Sequence, residues 1–123
     1  DKVTPSSIFD LFEKCQLNLP VIIDGYFKDL NGKLDSICSK VAVVHIDCDL
    51  YESTLEALEL VKDKLQNGTI ILFDDWFNFK GSNLHGEQRA FYEFLNKNKN
   101  INAIPYHKYA TFCNSFIINY ISQ

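Results

Sequence analysis

The sequence contains no apolar stretch approaching the roughly 20 residues of a membrane-spanning helix, and no signal-peptide pattern is legible in it. It has no excess of basic side chains either. Twelve Lys and Arg stand against 16 Asp and Glu, for a formal charge of −4, and the lysines form no stripe. Nucleic-acid binding is driven largely by basic side chains displacing counterions from phosphates, so this balance argues against a polyanionic partner. The four cysteines, Cys15, Cys38, Cys48 and Cys113, share no Cys-x-x-Cys spacing, which argues against a zinc site and against a disulfide scaffold. The five glycines are isolated, so no glycine-rich nucleotide-binding turn is present. These absences point to a cytoplasmic chain with neither nucleic-acid nor membrane partners. What is there has the proportions of one ordinary globular domain over residues 1–123: 46% of residues are hydrophobic and 14% aromatic, enough to build a core.

Thr4-Pro5-Ser6-Ser7 is a helix-start signal, and Ile8, Leu11, Phe12 and Cys15 follow at helical spacing. The run from Val21 to Phe27 reads as a buried strand, and a weak helical stretch follows near Leu34 to Cys38. Val41 to Ile46 is apolar and rich in β-branched residues, the pattern of a parallel strand covered on both faces; it stops at Asp47. Ser53-Thr54-Leu55-Glu56 reads as a capping box. The helix it starts carries Leu55, Leu58, Val61 and Leu65 inward and closes at Asn67-Gly68. Thr69 to Phe73 is the next buried strand, ending at Asp74-Asp75. A helix from about Glu87 to Asn96, with Phe91, Phe94 and Leu95 in the core, precedes two strands near 101–106 and 114–121. After the opening helix the order is β-α-β-α-β-α-β-β. That alternation specifies an α/β fold with a mostly parallel sheet, and the last, helix-free connection allows one antiparallel strand at the carboxyl end.

In open α/β sheets ligands bind beyond the carboxyl ends of the strands. Both acidic clusters fall at such ends: Asp47 and Asp49 after one strand, Asp74 and Asp75 after the next. A single helix intervenes, which makes the two strands neighbours and brings four carboxylates together. Mutual repulsion would force protonation unless a cation is bound, and all-oxygen ligands with open positions favour a hard ion such as Mg2+. The blander reading is that each Asp caps a helix or turn. Asp-x-Asp alone also occurs in haloacid dehalogenase phosphatases and sugar-nucleotide transferases. The former need two further motifs between their acidic pairs, and the latter an upstream nucleotide unit; neither is here.

The run Val43-Val44-His45-Ile46-Asp47-Cys48-Asp49-Leu50-Tyr51-Glu52-Ser53-Thr54 resembles the Asp-x-Asp-Leu-Tyr-Glu-Ser-Thr signature of the macrocin O-methyltransferase family. The likeness continues upstream through Asp24 to Asp29, and downstream through Asn67-Gly68, Ile70 to Trp76, and Gly86-Glu87-Gln88-Arg89-Ala90 with Phe94. It implies a three-layer, Rossmann-like class I methyltransferase sheet. It also implies methyl transfer from S-adenosylmethionine to a hydroxyl of a sugar or other small molecule, with a divalent metal. Carried over, it makes Asp47, Asp74 and Asp75 metal ligands and Asp49 the candidate general base, with Asp47 the alternative base. Tyr51 and Trp76 beside these acids are candidates to stack on an acceptor ring. His45 reads as a satisfied core residue, and His85 and His107 as loop residues. Arg89, the only arginine, is expected to pair with an acid near the start of its helix.

The resemblance covers the carboxyl-terminal part of such a domain. The strands that bind the donor's methionine and ribose are expected upstream of this chain. Their absence would leave a parallel edge open, and a homodimer or strand-swapped oligomer is expected to cover it. The competing reading is a non-catalytic metal-binding or interaction domain built on the same fold.

Overall fold

The computed structural model describes residues 3–121. Helix α1, Pro5–Lys14, starts as its sequence specifies. The Thr4 hydroxyl accepts the Ser7 N–H at 3.2 Å, the Ser7 hydroxyl accepts the Thr4 N–H at 3.0 Å, and proline occupies the first turn. Its apolar side is uncovered, with no residue of the helix buried and Leu11 57% exposed.

The strand expected over residues 21–27 does not form. Val21 is 72% exposed, and the chain runs irregularly into a short 3-10 helix, Phe27–Asp29. A strand exists through its ladder of interstrand hydrogen bonds, and no neighbouring strand offers one here; apolar composition alone does not make a strand. The segment still contributes Phe27 and the buried Leu30 to packing. The weak helical stretch near residue 34 is a second 3-10 turn, Lys33–Ser36.

The sheet has four strands: β1, Val43–Ile46; β2, Ile70–Phe73; β3, Ile101–Pro105; and β4, Asn114–Tyr120. They lie in the order β1-β2-β4-β3. β1 and β2 are parallel, with Val43 opposite Ile70 and Ile46 opposite Phe73. β4 runs antiparallel to both β2 and β3, so it is the one reversed strand, as the helix-free connection before it anticipates.

Helix α2, Tyr51–Val61, links the parallel pair, and α3, Gly86–Lys97, follows β2. The Ser53-Thr54-Leu55-Glu56 box does not start α2. Leu50 is the N-cap without a side-chain bond, and the buried Thr54 hydroxyl donates back to the Leu50 carbonyl at 2.8 Å. The helix also ends well before Asn67-Gly68. A 3-10 turn, Lys62–Lys64, follows it, so Leu65 is buried beyond the helix rather than on its stripe. Gly68, at φ 87°, makes the turn into β2, and its N–H donates to the Ile118 carbonyl at 2.8 Å.

Val44 and Ile46, Ile71 and Phe73, and Phe116 and Ile118 share one face of the sheet and pack with Ala57 and Leu58 of α2 and Phe91 and Phe94 of α3. The opposite face of β1 is open: Val43 is 55% exposed and the His45 side chain 51%. This corrects the reading of that strand as covered on both faces and of His45 as a core residue. Alternate residues point to opposite faces, and only one face carries helices among the described residues. None of these helices is long and apolar enough to cross a membrane.

At the centre, Phe73, Phe91, Trp76 and Phe116 form an aromatic knot. Ring centroids lie 4.8 Å apart for Phe73 with Phe91 and for Trp76 with Phe116, and 4.9 Å for Phe91 with Phe116. Trp76 is 3% exposed and part of this knot, so it is a core residue and not the acceptor-stacking surface expected of it. Phe91, fully buried, touches the other three rings. Phe91→Ala is expected to lower unfolding free energy by about 3–5 kcal/mol, read from urea denaturation followed by far-ultraviolet circular dichroism.

Candidate acidic metal site

The site follows from where β1 and β2 stop. The Asp74 N–H donates to the Ile46 carbonyl at 3.0 Å, so the parallel pairing continues one step past the strands and brings both acidic loops to one level. Beyond the strand ends the chain leaves the extended conformation, Asp49 taking φ 54°, so loop geometry and not strand alternation decides which acids meet. Asp47, Asp49 and Asp75 each offer a carboxylate oxygen within 4.8 Å of the others.

Asp74 is not in that group. Its Oδ1 lies 3.5 Å from His45 Nε2 and accepts the Cys113 thiol at 3.4 Å, while its carbonyl accepts the same thiol at 3.1 Å. Of the ligand set implied by the resemblance, the structure brings Asp47 and Asp75 together and adds Asp49 in place of Asp74.

Asp75 is the most constrained of the three. Its Oδ1 accepts the Asn78 side-chain amide at 2.6 Å, and its Oδ2 is buried with no hydrogen-bond partner. Burial and the neighbouring Asp49 carboxyl push its carboxyl up to about 6, against the opposing pull of Asn78. Asp47 and Asp49 are exposed, and Asp49 holds a left-handed φ of 54°, unusual for a non-glycine residue.

Beneath them lies a residue the sequence did not single out. Glu87, in the first turn of α3, is 0% exposed; its Oε2 accepts the Asp75 N–H at 3.0 Å and its Oε1 is unpartnered. Burial, partly offset by that hydrogen bond, pushes its carboxyl up to about 8. An acid in a helix's first turn is common for dipole reasons, so nothing about its position marks it as buried.

The other expected residues lie around this centre. Tyr51 donates its hydroxyl to Glu93 Oε2 at 2.6 Å, and the Arg89 guanidinium lies over its ring, 4.1 Å from the centroid. One ring face is therefore already taken. Arg89 pairs with Glu93, one turn on, at 2.9 Å. His85 stacks on Phe79 and lies 3.2 Å from the Ser82 hydroxyl, and His107 is exposed. A cleft of about 220 Å³ opens beside Asp47, lined by Phe27, Val44, Ile46, Ala57 and Val61 among others. That is below the roughly 300–1,000 Å³ of pockets that enclose small-molecule ligands.

The donor set suits a hard divalent cation. Opposite oxygens around a six-coordinate ion are about 4.2 Å apart for metal–oxygen distances of about 2.1 Å, and about 4.6–5.2 Å for 2.3–2.6 Å. The triad's oxygens, all within 4.8 Å of one another, lie close enough to share one such ion, and the orphaned Asp75 Oδ2 is an acceptor awaiting a positive partner.

Both shifted carboxyls are raised above their ordinary values of 3.8 and 4.5. The folded state therefore binds more protons than the unfolded chain between about pH 4 and 8, and stability falls as pH rises through that window. In a chelator, the thermal midpoint is expected to decline from about pH 5 to pH 8. A midpoint that rises throughout would contradict the assignment.

Comparison with known proteins agrees with the sheet and the signature. Macrocin-O-methyltransferase (TylF) matches over residues 3–107. Among curated proteins, the 8-demethyl-8-(2,3-dimethoxy-alpha-L-rhamnosyl)-tetracenomycin-C 4'-O-methyltransferase of Streptomyces olivaceus is 40% identical over 55 residues, covering 44% of this chain and 20% of that protein. Among solved structures, the O-methyltransferase NovP superposes with a TM-score of 0.73 at 22% identity, covering 94% of this chain and 45% of its own. Apo CalS11, a TDP-rhamnose 3'-O-methyltransferase of calicheamicin biosynthesis, gives 0.60 at 23% identity over 77% of this chain and 40% of its own. The chain thus spans less than half the length of each of these relatives, and the structural likeness speaks for the fold. With the family match running over most of its residues, this chain belongs to the macrocin O-methyltransferase (TylF) family.

Proposed function

We propose that the protein to which this chain belongs is an S-adenosylmethionine- and divalent-metal-dependent O-methyltransferase acting on a sugar hydroxyl, and that this chain carries its metal and acceptor side. The observation that supports this best is the convergence of Asp47, Asp49 and Asp75 within 4.8 Å at the ends of two adjacent parallel strands. Two of the named relatives are, by their names, methyltransferases of a rhamnosyl compound and of TDP-rhamnose, which favours a deoxysugar acceptor.

In this reading Asp47 and Asp75 hold the cation, and Asp49, beside it, accepts the proton of the acceptor hydroxyl. Mg2+ is the expected ion; when bound it would acidify a coordinated hydroxyl. Methyl transfer then forms an oxygen–carbon bond as the donor's carbon–sulfur bond breaks, and the hydroxyl proton resides on the Asp49 carboxylate. Asp74 would join the ligands only by turning away from Cys113 and His45, so its removal should matter less than that of Asp75. The protein is expected to act in the cytoplasm on a small molecule, with no nucleic acid or membrane involved. The uncovered edge of β1 favours pairing with a further strand, from the same protein or from a second copy.

Calorimetric titration of the chain with MgCl2 tests the metal. Asp75→Asn and Asp47→Asn are each expected to weaken binding at least about tenfold, and Asp74→Asn by less. Absence of binding heat in the unaltered chain, with its fold intact, would sink the metal reading. For the whole protein, release of S-adenosylhomocysteine in the presence of a rhamnosylated acceptor and Mg2+ is expected, and a chelator should abolish it.

A further inference from the structure

The acidic triad is formed by two loops, and loops hold geometry only as well as their anchors do. The anchor of the second loop is the start of α3. Glu87 Oε2 accepts the Asp75 N–H at 3.0 Å, and the next residue, Gln88, donates its side-chain amide to the Trp76 carbonyl at 2.7 Å and to the Gly81 carbonyl at 3.3 Å. Two consecutive side chains of one helical turn thus grip two consecutive backbone units of the acidic loop. Both are buried, Glu87 at 0% and Gln88 at 6% exposure.

The same turn presses on the first loop. Gly86 has φ 55°, and a Cβ there would meet the Phe79 ring at 2.7 Å and the Asp49 carbonyl at 3.3 Å. The start of α3 therefore touches both loops, behind Asp49 on one side and Asp75 on the other. Among the described residues Glu87 makes no ion pair. A buried carboxylate without a cation is costly to keep, and its 3.0 Å hydrogen bond goes to the backbone of an acid in the triad.

We propose that Glu87 is a positioning residue for the metal centre: by accepting the Asp75 N–H it fixes the backbone from which the Asp75 carboxylate is aimed at the cation. The inference rests on the metal reading above. Glu87 supplies reach and an acceptor oxygen; its charge is not the operative property. Partners behind metal ligands commonly account for about 10–100-fold in metal affinity.

Two variants divide reach from charge. Glu87→Gln keeps the length and an acceptor oxygen but loses the charge, whereas Glu87→Asp keeps the charge but withdraws the oxygen by one methylene. With MgCl2 alone as the titrant, Glu87→Gln is expected to retain affinity within about threefold and Glu87→Asp to lose about 10–100-fold. Amide hydrogen exchange at Asp75, measured by NMR without metal, should remain slow in Glu87→Gln and accelerate in Glu87→Asp. Both are milder than truncation, and circular dichroism checks that each is folded. Equal affinity in all three proteins, or loss in the Gln variant with retention in the Asp variant, would overturn the role of Glu87. If the unaltered chain takes up no Mg2+, the metal reading itself fails; if it binds but the two variants do not split as described, only the role of Glu87 does.

Discussion

The parallel pairing of β1 with β2 is the constraint on which the rest depends. Its register ends the two strands together, Ile46 against Phe73. The hydrogen bond from Asp74 N–H to the Ile46 carbonyl then carries the pairing to the first residue of the acidic loop. A shift of one residue in this register would turn the apolar face of β1 toward solvent and move the Asp47 loop away from the Asp75 loop. The aromatic knot of Phe73, Trp76, Phe91 and Phe116 lies directly under these strand ends. Burial of apolar surface thus holds in place an arrangement of like charges that electrostatics alone would disperse.

Much of this was legible in the residues, and for physical reasons. The runs Val41–Ile46 and Thr69–Phe73 each end abruptly in acid, so both the strands and the place where chemistry gathers could be read from one pattern. The helix-free connection between β3 and β4 announced the reversed strand. The Asp-x-Asp-Leu-Tyr-Glu-Ser-Thr run pointed to the family before any coordinates did, and the match over residues 3–107 agrees with it.

What the sequence hid depends on partners distant along the chain. The apolar segment at residues 21–27 has the composition of a strand but lacks a ladder to join. Trp76 follows two aspartates and looks like a rim residue, yet α3 and β4 close over it. Thr54 belongs to an apparent capping box but turns its hydroxyl back to Leu50. Glu87 carries no local mark of burial, because its environment is made by two loops that precede it by more than ten residues. In each case periodicity gives the direction of a side chain, and only tertiary packing decides what it meets.

Gly86 carries one further consequence. Its missing side chain leaves room for Phe79 and for the Asp49 carbonyl at the same point. The surface loop that leads into α3 and the acidic loop after β1 therefore bear on a single hinge stone. The tip of the surface loop, around residues 82–84, is exposed or partly so and tolerates change. Its root cannot vary without tilting Asp49. The outer part of the loop is thereby free of the constraint that its root places on the acidic loop.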